Sequence, residues 1–160
     1  MQQTEEVLFA TEDQFDDYTD QPPEIATEKY LIFSSDGLMY GIKAEQVKDI
    51  ITDYTITYLP RVPDYVRGVI NLRGQIIPVV DIRLRLGKPL NEECIIIVVN
   101  LNGHEIGILV DNVEKMVDVP RASILPMPNQ SAQKMVSGIC SLPEVGTILI
   151  LDCDQLVHEY

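Results

Sequence analysis

The stretch Val66-Arg67-Gly68-Val69-Ile70-Asn71-Leu72-Arg73-Gly74-Gln75-Ile76-Ile77-Pro78-Val79-Val80-Asp81-Ile82-Arg83 crowds Val and Ile around Gly68, Gly74 and Pro78. β-Branched side chains suit a pleated surface, and glycine supplies the positive φ of a tight reversal. The stretch therefore reads as a hairpin, with arms Val69–Leu72 and Gln75–Ile82 turning at Arg73-Gly74. Pro78 has no N–H to give a ladder and belongs at an edge or a bulge. Alternate residues of a strand share a face, so Asn71 and Arg73 point together, away from Ile70 and Leu72. Placed at the turn, Arg73 would project from a barrel rim, where its planar guanidinium suits a carboxylate. The competing reading is that Arg73 and Arg83 satisfy Asp81 and other internal acids, and spacing alone leaves both open.

Working outward, Tyr30–Phe33 and Met39–Ile42 flank a turn at Ser35-Asp36-Gly37 and read as another hairpin. Ala44–Ile51 sets Val47, Ile50 and Ile51 at 3–4 spacing, which predicts a short helix. Thr55–Leu59 reads as a strand closed by Pro60 and Pro63. Arg83–Gly87 predicts one helical turn ending at glycine. The clearest hairpin runs from Cys94 to Leu101, turns at Asn102-Gly103 and returns over Glu105–Val110. Val113–Val119 is a strand, and Pro120–Lys134, with Pro126 and Pro128, an irregular surface loop. Gly138–Leu142 and Thr147–Leu151 form a last hairpin around Glu144-Val145-Gly146, before a short helix over Asp152–Val157 capped by Asp152 or Asp154. Short strands at regular spacing, with no crossover helices, predict a mostly-β fold of small closed or nearly closed barrels.

The net charge of −13 is unevenly spread. Residues 1–28 hold nine acids and no Lys or Arg, whereas from Lys29 onward sixteen acids face twelve bases. Residues 1–27 are therefore expected to form an acidic, disordered arm, with a short partner-binding helix over Val7–Tyr18 as the alternative, and residues 28–160 the folded body. An acidic chain would bind phosphate backbones against its own field, so nucleic acid is excluded as the expected partner. The longest apolar run, Ile95–Val99, is strand-sized, and the N-terminus has neither a basic nor a hydrophobic leader region, so a cytosolic protein without membrane insertion is expected.

Candidate chemistry is sparse. His104 and His158 lack a neighbouring nucleophile motif, and Cys94, Cys140 and Cys153 lack metal-ligand spacing. Asp152 and Asp154 would raise the thiol pKa of Cys153, the wrong direction for a nucleophile. No Lys-Ser/Thr follows Gly74, so there is no P-loop. Asp81 and Asp111 end apolar strands, where a carboxylate is expected to pin a turn or an arginine. The expectation is a chain without catalytic residues, metal or cofactor. A small barrel enzyme or an oligonucleotide-binding barrel is the contrary reading, disfavoured by acidity and by the absence of Trp beside three Phe.

The order glycine, two β residues, Asn-Leu-Arg-Gly, three variable residues, Pro-Val, then Asp-apolar-Arg is similar to the signature of the CheW family. It is carried here by Gly68, Asn71, Leu72, Arg73, Gly74, Pro78, Asp81 and Arg83. Tyr40-Gly41-Ile42, Leu59-Pro60, Gly107-Ile108, Val110-Asp111 and Ile148–Asp152 extend the resemblance over about Tyr30–Val157. It implies two intertwined five-stranded SH3-like barrels. It also implies a non-catalytic chemotaxis adaptor in the cytoplasm, coupling chemoreceptor tips at the inner face of the membrane to the regulatory domain of the histidine kinase CheA. The receptor would sit in a groove between the barrels, at or near the positions of Val47, Asp49, Arg73 and Ile95. The family usually has glutamate where Asp49 stands, ion-paired to the arginine matching Arg73, and aspartate is one methylene shorter. A scaffold of another receptor–kinase pathway, such as surface motility, is the alternative that keeps the fold.

Overall fold

The computed structural model describes residues 26–85, 87, 94–127 and 135–157. Most of the acidic arm, the Val7–Tyr18 segment and His158 lie outside the described residues. The chain forms β1 (Thr27–Ser35), β2 (Leu38–Lys43), a 3-10 turn (Ala44–Gln46), β3 (Val47–Ile51), β4 (Val66–Leu72), β5 (Gln75–Asp81) and α1 (Ile82–Arg85). It continues through β6 (Ile95–Leu101), β7 (His104–Val110), β8 (Asn112–Pro120), a 3-10 turn (Arg121–Ser123), β9 (Leu125–Pro126), β10 (Val136–Leu142), β11 (Gly146–Leu151) and α2 (Cys153–Val157). One sheet has the order β3-β6-β7-β5-β4, and the other β8-β1-β2-β11-β10-β9.

Both sheets close by the same device, a strand at one edge that bends and pairs with the opposite edge. β8 turns through Arg121–Ser123 into the two residues of β9, which pair with β10. Downstream of β3, Thr57 bridges to Val69 of β4, each donating its N–H to the other's carbonyl at 2.8 and 2.9 Å. Counting each bent strand once, each barrel has five strands, as expected from the resemblance.

The two halves of the chain are repeats that exchange their first hairpins. β1–β2 and β6–β7 correspond, with turns at Asp36-Gly37 and Asn102-Gly103 whose φ values are 54° and 78°, and 55° and 90°. β3 pairs with β6 as β8 pairs with β1, with the same register slip after Val47 and after Val113. β4–β5 and β10–β11 correspond residue for residue up to their turns, each with a slip between Val and Gly, at Val66/Gly68 and Val136/Gly138. Each then lies parallel to the hairpin of the other half, Val79 opposite Gly107 and Ile150 opposite Gly41. A short helix ends each repeat.

This exchange explains the apolar run Ile95–Val99. Strands alternate faces, and here both faces are buried. Ile96 and Val98 enter one barrel's own core with Ile70, Ile77, Val79 and Leu109. Ile97 and Val99 face a larger core shared between the barrels, with Leu31, Phe33, Tyr40, Ile42 and Val110. The second barrel's core is built from Tyr30, Ile32, Val119, Cys140, Ile148 and Ile150.

Three expectations require correction. Ala44–Ile51 is not a helix, because Val47, Ile50 and Ile51 pair with Val99, Ile97 and Ile96 of β6 and a ladder outweighs a weak 3–4 pattern. Thr55–Leu59 contributes a single bridge and not a strand. Within Pro120–Lys134, the described part holds the end of β8, a 3-10 turn and β9. Pro78 lies in a strand flanked on both sides, yet the ladder with β7 begins only at Val79, so it marks that ladder's end.

Candidate functional site

The signature stretch folds into two distinct pieces of machinery. The first is the turn between β4 and β5. Arg73 and Gly74 both have positive φ, 52° and 86°, the pattern of a primed two-residue turn. Asn71 Oδ1 accepts the Gly74 N–H at 3.0 Å, which fixes the turn from its preceding strand. Arg73 projects outward, its side chain 78% exposed, and donates from Nη2 to Asp49 Oδ2 at 3.1 Å. The other oxygen, Oδ1, accepts the N–H of Ile50 at 2.9 Å, so the carboxylate is oriented before the arginine meets it. Aspartate thus reaches as far as required. The contact joins β3 and the β4–β5 turn, the opposite edges of one sheet, across the closure of the barrel.

The second piece is a buried ionic seam. Asp81, 1% exposed, accepts Arg67 Nη1 at 3.0 Å and the backbone N–H of Arg83 at 2.9 Å. Arg67 is the extra residue of the bulge between Val66 and Gly68, which directs it toward Asp81. Arg83 crosses to the other barrel, donating from Nε to Asp111 Oδ1 at 2.9 Å, from Nη2 to Asp111 Oδ2, and from Nη1 to Asp36 Oδ1 at 3.3 Å. Asp111 Oδ2 also accepts the Asp36 N–H at 2.8 Å. The two readings of the arginines therefore divide, with Arg83 neutralising internal acids and Arg73 standing on the rim. Asp81 and Asp111 each hold an arginine, as expected. Sequence reasoning missed Arg67 as the partner of Asp81 and read Asp36 only as a turn residue. A bulge and a contact between barrels leave no local signal.

Val47 and Ile95 are half-buried at the margin of the shared core. Val47 lies opposite Val99, near one end of β6, and Ile95 begins the other end. The structure brings Asp49 and Arg73 into contact and places Val47 and Ile95 on the inter-barrel side of the same sheet, apart from each other along β6. Gly68, Leu72 and Pro78 serve the barrel itself: a Cβ at Gly68 would stand 2.1 Å from the Thr57 carbonyl oxygen.

A cavity of about 660 Å³ opens elsewhere, between the beginnings of β5 and β7, lined by Ile76, Pro78, Ile106, His104 and Asp154. Its polar lining side chains are exposed or half-exposed, with none sealed in. The Cys153 thiol is pushed up to about 12 by burial and then by Asp152 and Asp154, which makes it inert. Among the described residues no cluster of three His, Cys, Asp or Glu side chains could hold a metal, and no helix is long and apolar enough to cross a membrane.

Comparison with known proteins agrees with this architecture. The family model for the CheW-like domain matches residues 29–160. The chemotaxis protein CheW of Klebsiella aerogenes is 31% identical over 140 residues, spanning 84% of each chain. That of Bacillus subtilis is 38% identical over 109 residues, 66% of this chain and 70% of the relative. The crystal structure of the scaffolding protein TtCheW from Thermoanaerobacter tengcongensis superposes with a TM-score of 0.73 at 31% identity, covering 79% of this chain and 89% of that one.

Proposed function

Because the chain belongs to the CheW-like domain family, we propose that it is a non-catalytic adaptor that couples chemoreceptors to the histidine kinase CheA in chemotaxis. The observation that carries the reading is the exposed Arg73–Asp49 pair held on a rigid turn at the rim of one barrel. A guanidinium already aligned by Asp49 presents its remaining donors to a partner's carboxylate or backbone carbonyl at little conformational cost. Val47, near the pair on β3, and Ile95, at the far end of β6, supply apolar contact at the margin of the shared core, and the receptor-facing surface takes in all four positions. The kinase regulatory domain takes other surfaces of the barrels, which the adaptor must keep available while the receptor is bound. The adaptor works in the cytoplasm and reaches the membrane through the receptors.

The test is Arg73→Glu. Charge reversal at an exposed turn leaves the fold intact and weakens binding to a receptor's cytoplasmic fragment by about tenfold or more, while titration against the CheA regulatory domain is unchanged. Unaltered receptor binding by this variant would move the receptor site elsewhere. Loss of both interactions together would mean that the substitution damages the fold.

A further inference from the structure

Two turns of the chain follow one tetrapeptide plan, Asn71-Leu72-Arg73-Gly74 and Asn100-Leu101-Asn102-Gly103. In both, Oδ1 of the first asparagine accepts the glycine N–H, at 3.0 Å in one turn and 2.8 Å in the other. In both, the third and fourth residues have positive φ, 52° and 86° against 55° and 90°. They differ at the third residue, arginine in one and asparagine in the other. An asparagine followed by glycine is chemically reactive. The next residue's main-chain nitrogen can attack the side-chain amide carbon, and glycine has no side chain to obstruct the approach. Asn102 is the only asparagine of the sequence that glycine follows; the other five precede leucine, glutamate, valine or glutamine. Asn102 and Gly103 are both exposed, and nothing lies within 4 Å of where a Cβ on Gly103 would stand. The matching turn of the other half carries Asp36-Gly37, but there Arg83 Nη1 holds Asp36 Oδ1 at 3.3 Å.

We propose that Asn102 is a site of deamidation whose rate is set by Asn100. The Gly103 nitrogen, once it has lost its proton to a base in solvent, bonds to Asn102 Cγ. The Cγ–Nδ2 bond then breaks, and the nitrogen leaves as ammonia with a proton taken from water. Water opens the resulting succinimide at either carbonyl, giving aspartate or, with an extra methylene in the main chain, isoaspartate. Asn100 restrains the first step. Its Oδ1 is a neutral acceptor that holds the Gly103 proton without removing it, and its lone pairs repel the nitrogen anion that attacks. The aspartate product is tolerated, since the matching turn already carries Asp36-Gly37. The isoaspartate product is not. A two-residue turn fixes the register of its strands, and an added methylene strains the pairing of Leu101 with His104. Either product sets a new carboxylate at the edge of the cavity that Glu105 and Asp154 already line.

Ageing the full chain in native buffer at mildly alkaline pH, followed by peptide mapping in the mass spectrometer and an isoaspartyl methyltransferase assay, tests this without any receptor or kinase present. In the wild type, aspartate and isoaspartate should accumulate at position 102 before any other asparagine changes. Asn100→Ala releases the Gly103 N–H and should speed that accumulation by about fivefold, the weight of one hydrogen bond. Asn102→Arg, which copies the turn at 71–74, serves as the folded control. Hydrogen exchange at Leu101 and His104 should quicken with age in the wild type and stay constant in this variant. A wild type that keeps Asn102 intact until urea unfolds it, modification appearing first at another asparagine, or an Asn100→Ala chain that ages at the wild-type rate overturns the proposal.

Discussion

Arg73 and Arg83 belong to one motif, yet their surroundings give them different energetic weights. Arg73 is 78% exposed, and an ion pair so solvated adds at most about 1 kcal/mol to folding. Arg83 is 14% exposed and holds Asp111 through two hydrogen bonds, so removing it would leave a half-buried carboxylate in need of a partner. Tyr40, in the shared core, is the opposite case of a polar group that nothing holds. Its ring stacks on Phe33 with centroids 5.5 Å apart, and its hydroxyl is buried with no hydrogen-bond partner among the described residues. Burial, and then Asp36, push its pKa up to about 12 from the ordinary 10.0. A folded value above the unfolded one means that the stability linked to Tyr40 is complete below about pH 10 and is lost as pH rises through about 12. Tyr40→Phe is therefore expected to leave stability at pH 7 unchanged or raised by up to about 1 kcal/mol, since no hydrogen bond is lost. Between pH 10 and 12 the variant should retain about 2–3 kcal/mol that the wild type loses, the residual alkaline loss coming from groups such as Tyr30, also raised by burial. Urea unfolding at pH 7, 10 and 11.5 measures both effects. A variant weaker at neutral pH with the same alkaline slope would show that the hydroxyl is satisfied.

At the scale of elements, barrel closure depends on one glycine. Gly68 has φ +146° and lies against the Thr57 carbonyl, where a Cβ would come within 2.1 Å of the oxygen. The Thr57–Val69 bridge that seals the sheet passes through this spot. Gly68→Ala should cost about 3 kcal/mol in urea unfolding and speed hydrogen exchange at the amides of Thr57 and Val69. Gly74→Ala, at φ +86° with nothing within 4 Å, should cost only about 1 kcal/mol and leave those amides protected. Equal losses in the two variants would mean that the close approach at Gly68 is unimportant. The same contrast explains what the sequence discloses. Asp36-Gly37, Arg73-Gly74 and Asn102-Gly103 reveal their hairpins because the turn chemistry is local. β3 and the Thr57 bridge are hidden because their partners, β6 and β4, decide their conformation from elsewhere in the chain. The exposed Arg73 is legible as a rim residue from its turn, whereas its contact with Asp49 follows from the family resemblance and not from spacing, because the two residues meet only across the closed barrel. The repeat itself escaped notice because few residues match outright and the turn at Pro143-Glu144-Val145 is longer than that at Arg73-Gly74.

The exchange of hairpins between repeats makes the whole molecule one cooperative unit. The pairings β1 with β8, β2 with β11, β3 with β6 and β5 with β7 all cross from one half of the chain to the other. The shared core takes Leu31, Phe33, Tyr40 and Ile42 from the first half and Ile97, Val99, Ile108 and Val110 from the second. Arg83 adds an ionic tie to Asp111 across the same division. A repeat on its own therefore keeps its two hairpins but loses every ladder that joins them to a sheet, and isolated hairpins are marginal in water. An adaptor benefits from this arrangement, because surfaces on two barrels keep their relative positions only if neither barrel can open alone. Cutting the chain after Gly87 tests the point. Neither fragment alone should show a cooperative thermal transition or native near-ultraviolet circular dichroism. Mixed in equal amounts they should recover both, with a melting temperature that rises with concentration as expected for a bimolecular complex. A cooperative transition in either fragment alone would show that a repeat folds without its partner, and the exchanged hairpins would then be an arrangement the fold tolerates and does not need.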